Sequence, residues 1–120
     1  MINKFIYTRV ITAVIFIFFA LVCFAQPTAA NTDNIKRKWL NISYATISPA
    51  QKLDIYLPDE GEGAFPIIIS IHGGAFMFGD KADEQVNPML EGLKHDYAVV
   101  SINYRLSGEA LFPKNINDVK

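Results

Sequence analysis

The spacing of apolar positions changes along the chain, and each change marks an element. Residues 10–25 (VITAVIFIFFALVCFA) run without a charge, behind the basic Lys4 and Arg9. Trp39–Ala45 alternates, with Leu40, Ile42 and Tyr44 on one face. Lys52–Leu57 alternates too, with Leu53, Ile55 and Leu57 together. This period of two predicts two half-buried strands of the kind found at antiparallel edges, joined through a turn at Ser48-Pro49-Ala50-Gln51. Pro58–Pro66 reads as a surface loop. Ile67–Ile71 is a branched, almost unbroken apolar run, which predicts a strand buried on both faces. Val86, Met89, Leu90 and Leu93 then stand at helical spacing. With Pro88 favoured at a first helical position and Asn87 as cap, they predict a helix over Pro88–His95. Tyr97–Asn103 is a second buried strand, Leu106–Asn115 a loop, and Asn117-Asp118 the cap of a further helix. Two buried runs bracketing a helix make a βαβ unit with parallel strands and a right-handed crossover. The fold class is α/β.

The first quarter of the chain changes this picture. A basic start, an apolar run and a small residue at Ala25 make a signal peptide. Two cleavage points fit, one after Ala25 and one after Ala30, where Thr28 and Ala30 are the small residues. The rival is an anchor through residues 10–25, although a spanning helix needs about 20 apolar residues. The expected organisation is a leader over 1–25, an N-terminal tail over 26–38 and a partial domain over 39–120. The expected location is secreted or periplasmic, with no stable membrane partner once the leader is gone. Roughly 90 residues would remain, small for one domain, and the ending Asn117-Asp118-Val119-Lys120 reads as that of a partial sequence. As a fragment, it would leave strand edges open and an apolar face exposed.

Charge and cysteine content narrow the function. Net charge is −1, and the one basic block, Lys36-Arg37-Lys38, reads as a solvated strand lead-in, so no nucleic-acid partner is expected. Cys23 is the only cysteine, so the mature part can form no disulfide.

The chemistry is concentrated in Ser70-Ile71-His72-Gly73-Gly74-Ala75-Phe76-Met77-Phe78-Gly79. A buried strand delivers two glycines, which admit positive φ and close approach to the main chain. Successive N–H groups in such a turn can form an anion-binding concavity. Acyl transfer needs one, because charge builds on the carbonyl oxygen as it becomes tetrahedral. A plain tight turn around a core histidine is the other reading of these residues. Downstream come Asn103-Tyr104-Arg105-Leu106, Glu109, Phe112-Pro113 and Asp118.

With both segments in place, the chain resembles the α/β-hydrolase esterases, in particular their hormone-sensitive-lipase-like and carbohydrate-esterase branches. His72-Gly73-Gly74-Ala75-Phe76 is similar to HGGG-[FW] after the third strand, and Asn103–Asp118 to the [DN]-Y-R-L segment after the fourth. The resemblance runs from about Leu53 to the end and implies the N-terminal part of an α/β-hydrolase sheet, incomplete here. It further implies that Gly74 and Ala75 offer oxyanion-hole N–H groups. His72 and Gly73 would support that loop, and Arg105 and Asp118 would brace it from beneath. Phe76 and Phe78 would wall the substrate pocket or simply pack in the core. Ala75 stands where the family carries a third glycine; its N–H stays available if its φ is negative, whereas a positive φ required there would distort the hole.

The family's nucleophile lies in G-x-S-x-G, followed by the acid and the histidine. None of Ser43, Ser48, Ser70, Ser101 and Ser107 has that setting. His95 ends the helix and reads as surface, and Asp54, Asp80, Asp83 and Asp96 have no visible base partner. No metal-ligand, P-loop or dinucleotide spacing occurs, so no cofactor and no metal are expected. The expectation is the front part of a secreted serine esterase acting on small-molecule esters, short-chain or carbohydrate-borne, inactive without the rest. The alternatives are a binding protein on a hydrolase fold and an inactive truncated fragment.

Overall fold

The computed structural model describes residues 9–14 and 28–120. The leader reading therefore falls largely outside the described residues; within it, residues 9–14 are helical. No helix among the described residues is long and apolar enough to cross a membrane.

Four strands form one mixed sheet: β1 (Lys38–Ser43), β2 (Lys52–Tyr56), β3 (Ile67–Ile71) and β4 (Ala98–Ile102), in the order β1-β2-β4-β3. β3 and β4 pair in parallel and bracket a helical segment, as the βαβ reading requires. β1 and β2 are antiparallel, but β2 is no edge strand: it lies between β1 and β4, antiparallel to both.

The helical segment starts earlier than its apolar spacing implies. A single α-turn, α1 (Asn87–Leu90), is flanked by 3₁₀ turns at Glu84–Val86 and Glu91–His95. Pro88 sits at its start, but Asn87 caps nothing. The Asn87 Oδ1 instead accepts the Asn31 N–H at 2.9 Å, because the polar segment before β1 packs against this helix. His95 is exposed in the last turn. Near the end, α2 (Lys114–Asn117) follows Pro113, so the expected loop already turns helical at Lys114. Asn117-Asp118 ends that turn rather than capping a new one, because the Asp118 carboxylate is engaged by Arg105.

Facing of the strands departs from the alternation in three places. On β2 the most buried side chains are Asp54 and Tyr56, each 1% exposed, while Leu53 and Ile55 are only half-buried. The helical segment covers the Asp54–Tyr56 face, where Tyr56, Val86, Leu90 and Val99 form the core with Ile68, Leu93, Ala30 and Ile35 against it. On β1 the register shifts between Trp39 and Ile42, which pair with Ile55 and Leu53. Leu40 and Asn41 thus together oppose Asp54, a β-bulge that puts Trp39 and Ile42 on one face in place of Leu40 and Ile42. On β3, Ile67, Ile69 and Ile71 are 62%, 64% and 51% exposed, so this strand is not buried on both faces. Its Ile68–Ser70 face meets the helical segment and β4; among the described residues no element packs on the other.

Candidate functional site

The loop after β3 turns back on itself immediately. Gly74 has φ +117°, and its carbonyl accepts the N–H groups of Met77 (2.9 Å) and Phe78 (3.2 Å). Ala75 (φ +53°) and Phe76 (φ +63°) continue in the left-handed region. Ala75 therefore takes the positive φ that carries the risk of a distorted hole, not the negative one. The N–H groups of Gly74 and Ala75 have no hydrogen-bond partner among the described residues. Gly74 is half-buried and Ala75 exposed.

A left-handed alanine costs roughly 1–2 kcal/mol that glycine does not incur. Ala75→Gly is accordingly expected to raise the unfolding free energy by about 0.5–1 kcal/mol in a denaturant melt, the gain being trimmed by the extra freedom of an unfolded glycine. A clear loss of stability would mean that the Ala75 methyl makes a contact worth more than the strain.

The corner is held from several sides. The Gly73 N–H donates to Gln85 Oε1 at 2.9 Å, tying the loop to the helical segment. The buried His72 ring stacks on Tyr104 at 4.6 Å and 11°, and the Tyr104 hydroxyl donates to the His72 carbonyl at 3.2 Å. His72 Nδ1 lies 2.8 Å from the Gly73 carbonyl, which can only accept, so Nδ1 carries the proton there. Its Nε2 is buried without a partner among the described residues. Phe76 meets the Tyr104 ring edge-on at 5.9 Å, and its carbonyl accepts the Ser107 N–H at 2.7 Å. Phe76 and Phe78 are 43% and 66% exposed, so neither is a core residue.

Arg105 and Asp118 make a two-pronged ion pair, Nε to Oδ2 at 2.8 Å and Nη2 to Oδ1 at 2.6 Å, and the Arg105 N–H adds a third bond. The Arg105 side chain, by its hydrogen bonds, holds the Asp118 carboxyl below its ordinary range despite burial. Gln51 also donates to Asp118 at 2.9 Å. This pair therefore ties the segment after β4 to α2 and to the Ser48–Gln51 turn; it does not touch the Gly73–Gly74 corner. Tyr44 joins the same region, its hydroxyl bonded to the Asn103 carbonyl and pushed up to about 12 by burial, with the Asp118 charge adding to it.

The exit of the loop carries a network that motif reading missed. Lys81 Nζ lies 2.9 Å from Asp54 Oδ2, with both side chains almost fully buried. Asp54 Oδ1 accepts the Asn41 N–H at 2.7 Å, where the β1 bulge turns at φ +60°. The main chain of Lys81 is fixed on β4, its N–H to Asn103 Oδ1 at 2.6 Å and its carbonyl to the Ser101 hydroxyl at 2.8 Å. Asn103 also donates to Asp80. Burial alone would raise the Asp80 carboxyl, but bonds from Asn103 and the Ala82 N–H and the Lys81 charge outweigh it, and the net direction is down. Asp54 and Asp80 are thus held by a lysine and an amide, structural partners rather than a base. The one signal for Asp54 was a charged residue inside a strand pattern. A cleft of about 590 Å³ opens beside this network between β1, β2 and the loop exit; neither Gly74 nor Ala75 lines it.

Comparison with known proteins adds a second line of evidence. Residues 53–120 match the BD-FAE family model. Over 83 residues, 67% of this chain, it is 37% identical to the probable carboxylic ester hydrolase LipM of Mycobacterium tuberculosis, of which it covers 19%. Among solved structures, a truncated form of a carbohydrate esterase from gut microbiota aligns with TM-score 0.66 and 38% identity. That match covers 77% of this chain and 33% of the esterase. A bifunctional GH43-CE protein of Bacteroides eggerthii aligns with TM-score 0.58 and 41% identity, over 68% of this chain and 11% of that one. The chain thus spans about a fifth of the curated relative's length and a third of the carbohydrate esterase's.

Proposed function

The chain belongs to the BD-FAE family, and from that premise we propose that it is the leading part of an exported serine carboxylic-ester hydrolase. Its four-stranded mixed sheet with helices is that of α/β-hydrolase-type esterases. The observation that carries the reading is the pair of unpartnered N–H groups at Gly74 and Ala75, on a corner anchored through Gly73, His72 and Phe76.

In the proposed reaction a serine Oγ attacks the ester carbonyl, whose oxygen gains negative charge. The Gly74 and Ala75 N–H groups donate to that oxygen. Each preset donor of this kind stabilises the tetrahedral state by about 3 kcal/mol. Collapse expels the alcohol and leaves an acyl-enzyme, which water then hydrolyses. The nucleophile, its base and the orienting acid lie outside these 120 residues, where no G-x-S-x-G occurs. His72 and Gly73 support the loop, the Arg105–Asp118 pair holds the segment after β4 rather than the loop itself, and the exposed Phe76 and Phe78 wall the mouth of the site. The reaction draws on no metal or organic cofactor. Short acyl esters, including acyl groups on carbohydrate, are the proposed substrates; the likeness to a carbohydrate esterase supports the second kind. Export rests on the uncharged apolar run 10–25 behind Lys4 and Arg9.

The full-length protein is expected to turn over short p-nitrophenyl esters, and replacing its elbow serine with alanine should abolish this. A full-length protein with that serine in place and no turnover on aryl or carbohydrate esters would overturn the reading.

A further inference from the structure

The structure assigns Thr28–Asn31 to the folded body of the protein, and we propose that the export leader is therefore removed upstream of Thr28. The inference rests on the export reading above and adds a structural ground for the leader over 1–25 against the second cleavage point, after Ala30.

Thr28–Asn31 is a strap, not a loose tail. Ala29 forms an antiparallel bridge with Asp83. The Ala30 N–H donates to the Ala82 carbonyl at 2.7 Å, and the Thr28 carbonyl accepts the Glu84 N–H at 2.9 Å. The Thr28 hydroxyl donates to the Glu84 carboxylate. The Asn31 N–H reaches Asn87 Oδ1 at 2.9 Å. Ala30 also packs against the core formed by Tyr56, Val86, Leu90 and Val99. Chain termini are loose unless tied by contacts of this kind.

The two cleavage points differ sharply in what they leave. A cut after Ala30 deletes Thr28, Ala29 and Ala30. It breaks the bonds of the Glu84 N–H and the Ala82 carbonyl, removes the bridge to Asp83 and strips a methyl from the core. A cut after Ala25 keeps every one of these contacts. The strap also clamps residues 82–87, the segment whose Gln85 holds the Gly73 N–H. Losing it loosens one of the supports of the loop as well as the fold.

The test is to produce the full-length protein with its leader in a bacterial secretion host and identify the first residue by intact mass and N-terminal peptide mapping. A product beginning at Gln26, with or without cyclisation of that glutamine, is expected. A product beginning at Asn31 overturns the inference while leaving export standing. A product still beginning at Met1 overturns the export reading and the inference with it. Independently, leaderless full-length proteins beginning at Gln26 and at Asn31 are compared by thermal melt. The shorter form is expected to melt about 3–8 °C lower. Equal melting temperatures overturn the strap assignment.

Discussion

Replacing Gly74 with alanine is expected to lower kcat for ester hydrolysis about 10²–10³-fold in the full-length enzyme, with a much smaller change in KM. The reason is geometric before it is chemical. Gly74 holds φ +117°, and a Cβ built there would lie 1.9 Å from the Phe78 carbonyl oxygen and 2.7 Å from its carbon. Both are backbone atoms, so no rotamer change relieves the contact. The turn must open, which breaks the bonds from Met77 and Phe78 to the Gly74 carbonyl and re-aims the N–H groups at positions 74 and 75. A substrate bound through its acyl and alcohol parts loses little affinity; the developing oxyanion loses its donors. Gly63→Ala is the matched control: Gly63 has φ +113°, but a Cβ there meets nothing within 4 Å. It should carry the backbone strain alone and leave kcat unchanged. Steady-state kinetics and a thermal melt of both variants separate a lost site from a lost fold. A folded Gly74→Ala enzyme with wild-type kcat would remove this loop from the chemistry.

How much of this was legible in the sequence depends on what fixed each feature. β3, the helical segment and β4 were readable because apolar runs and helical spacing report contacts that a sheet covered on its helix side must make. The Gly73–Gly74 corner was readable because close backbone approach narrows the residue choice to glycine. The facing of β2 was not. Leu53, Ile55 and Leu57 look like the inward set, yet Asp54 and Tyr56 lie deepest, since a lysine 27 positions away closes the pair. No local period encodes such a partner. The β1 bulge escaped for a related reason: one extra residue reverses alternation, and Asn41 takes its positive φ because Asp54 holds its N–H. Ala75 escaped because its φ is set by closure of the turn with Phe76, not by its own preference. Gln85 looked like one more polar residue on a helix until the fold brought it to the Gly73 N–H.

Replacing Lys81 with methionine is expected to destabilise the full-length protein by about 3–5 kcal/mol. Methionine fills a similar volume, so the loss is one of charge rather than packing. Asp54 would remain 1% exposed with its partner gone, and a buried carboxylate without a counter-charge either carries its desolvation cost or takes up a proton. The remaining bonds to Asp54, from the Asn41 N–H at 2.7 Å and the Tyr56 hydroxyl at 3.4 Å, do not neutralise it. Adding Asp54→Asn to Lys81→Met should recover more than half of the loss, because the amide oxygen still accepts from Asn41 and no charge stays buried. A double-mutant cycle by denaturant melts reads that coupling directly. The pair matters beyond stability, since the main chain of Lys81 pins the loop exit to Asn103 and Ser101, a few residues from the Gly74 corner. In the single variant that pin loosens, so kcat should fall further than KM rises, and the double variant should restore both. A Lys81→Met protein as stable as the parent would mean that Asp54 is reached by water or by another cation, and that the fold does not depend on this buried charge.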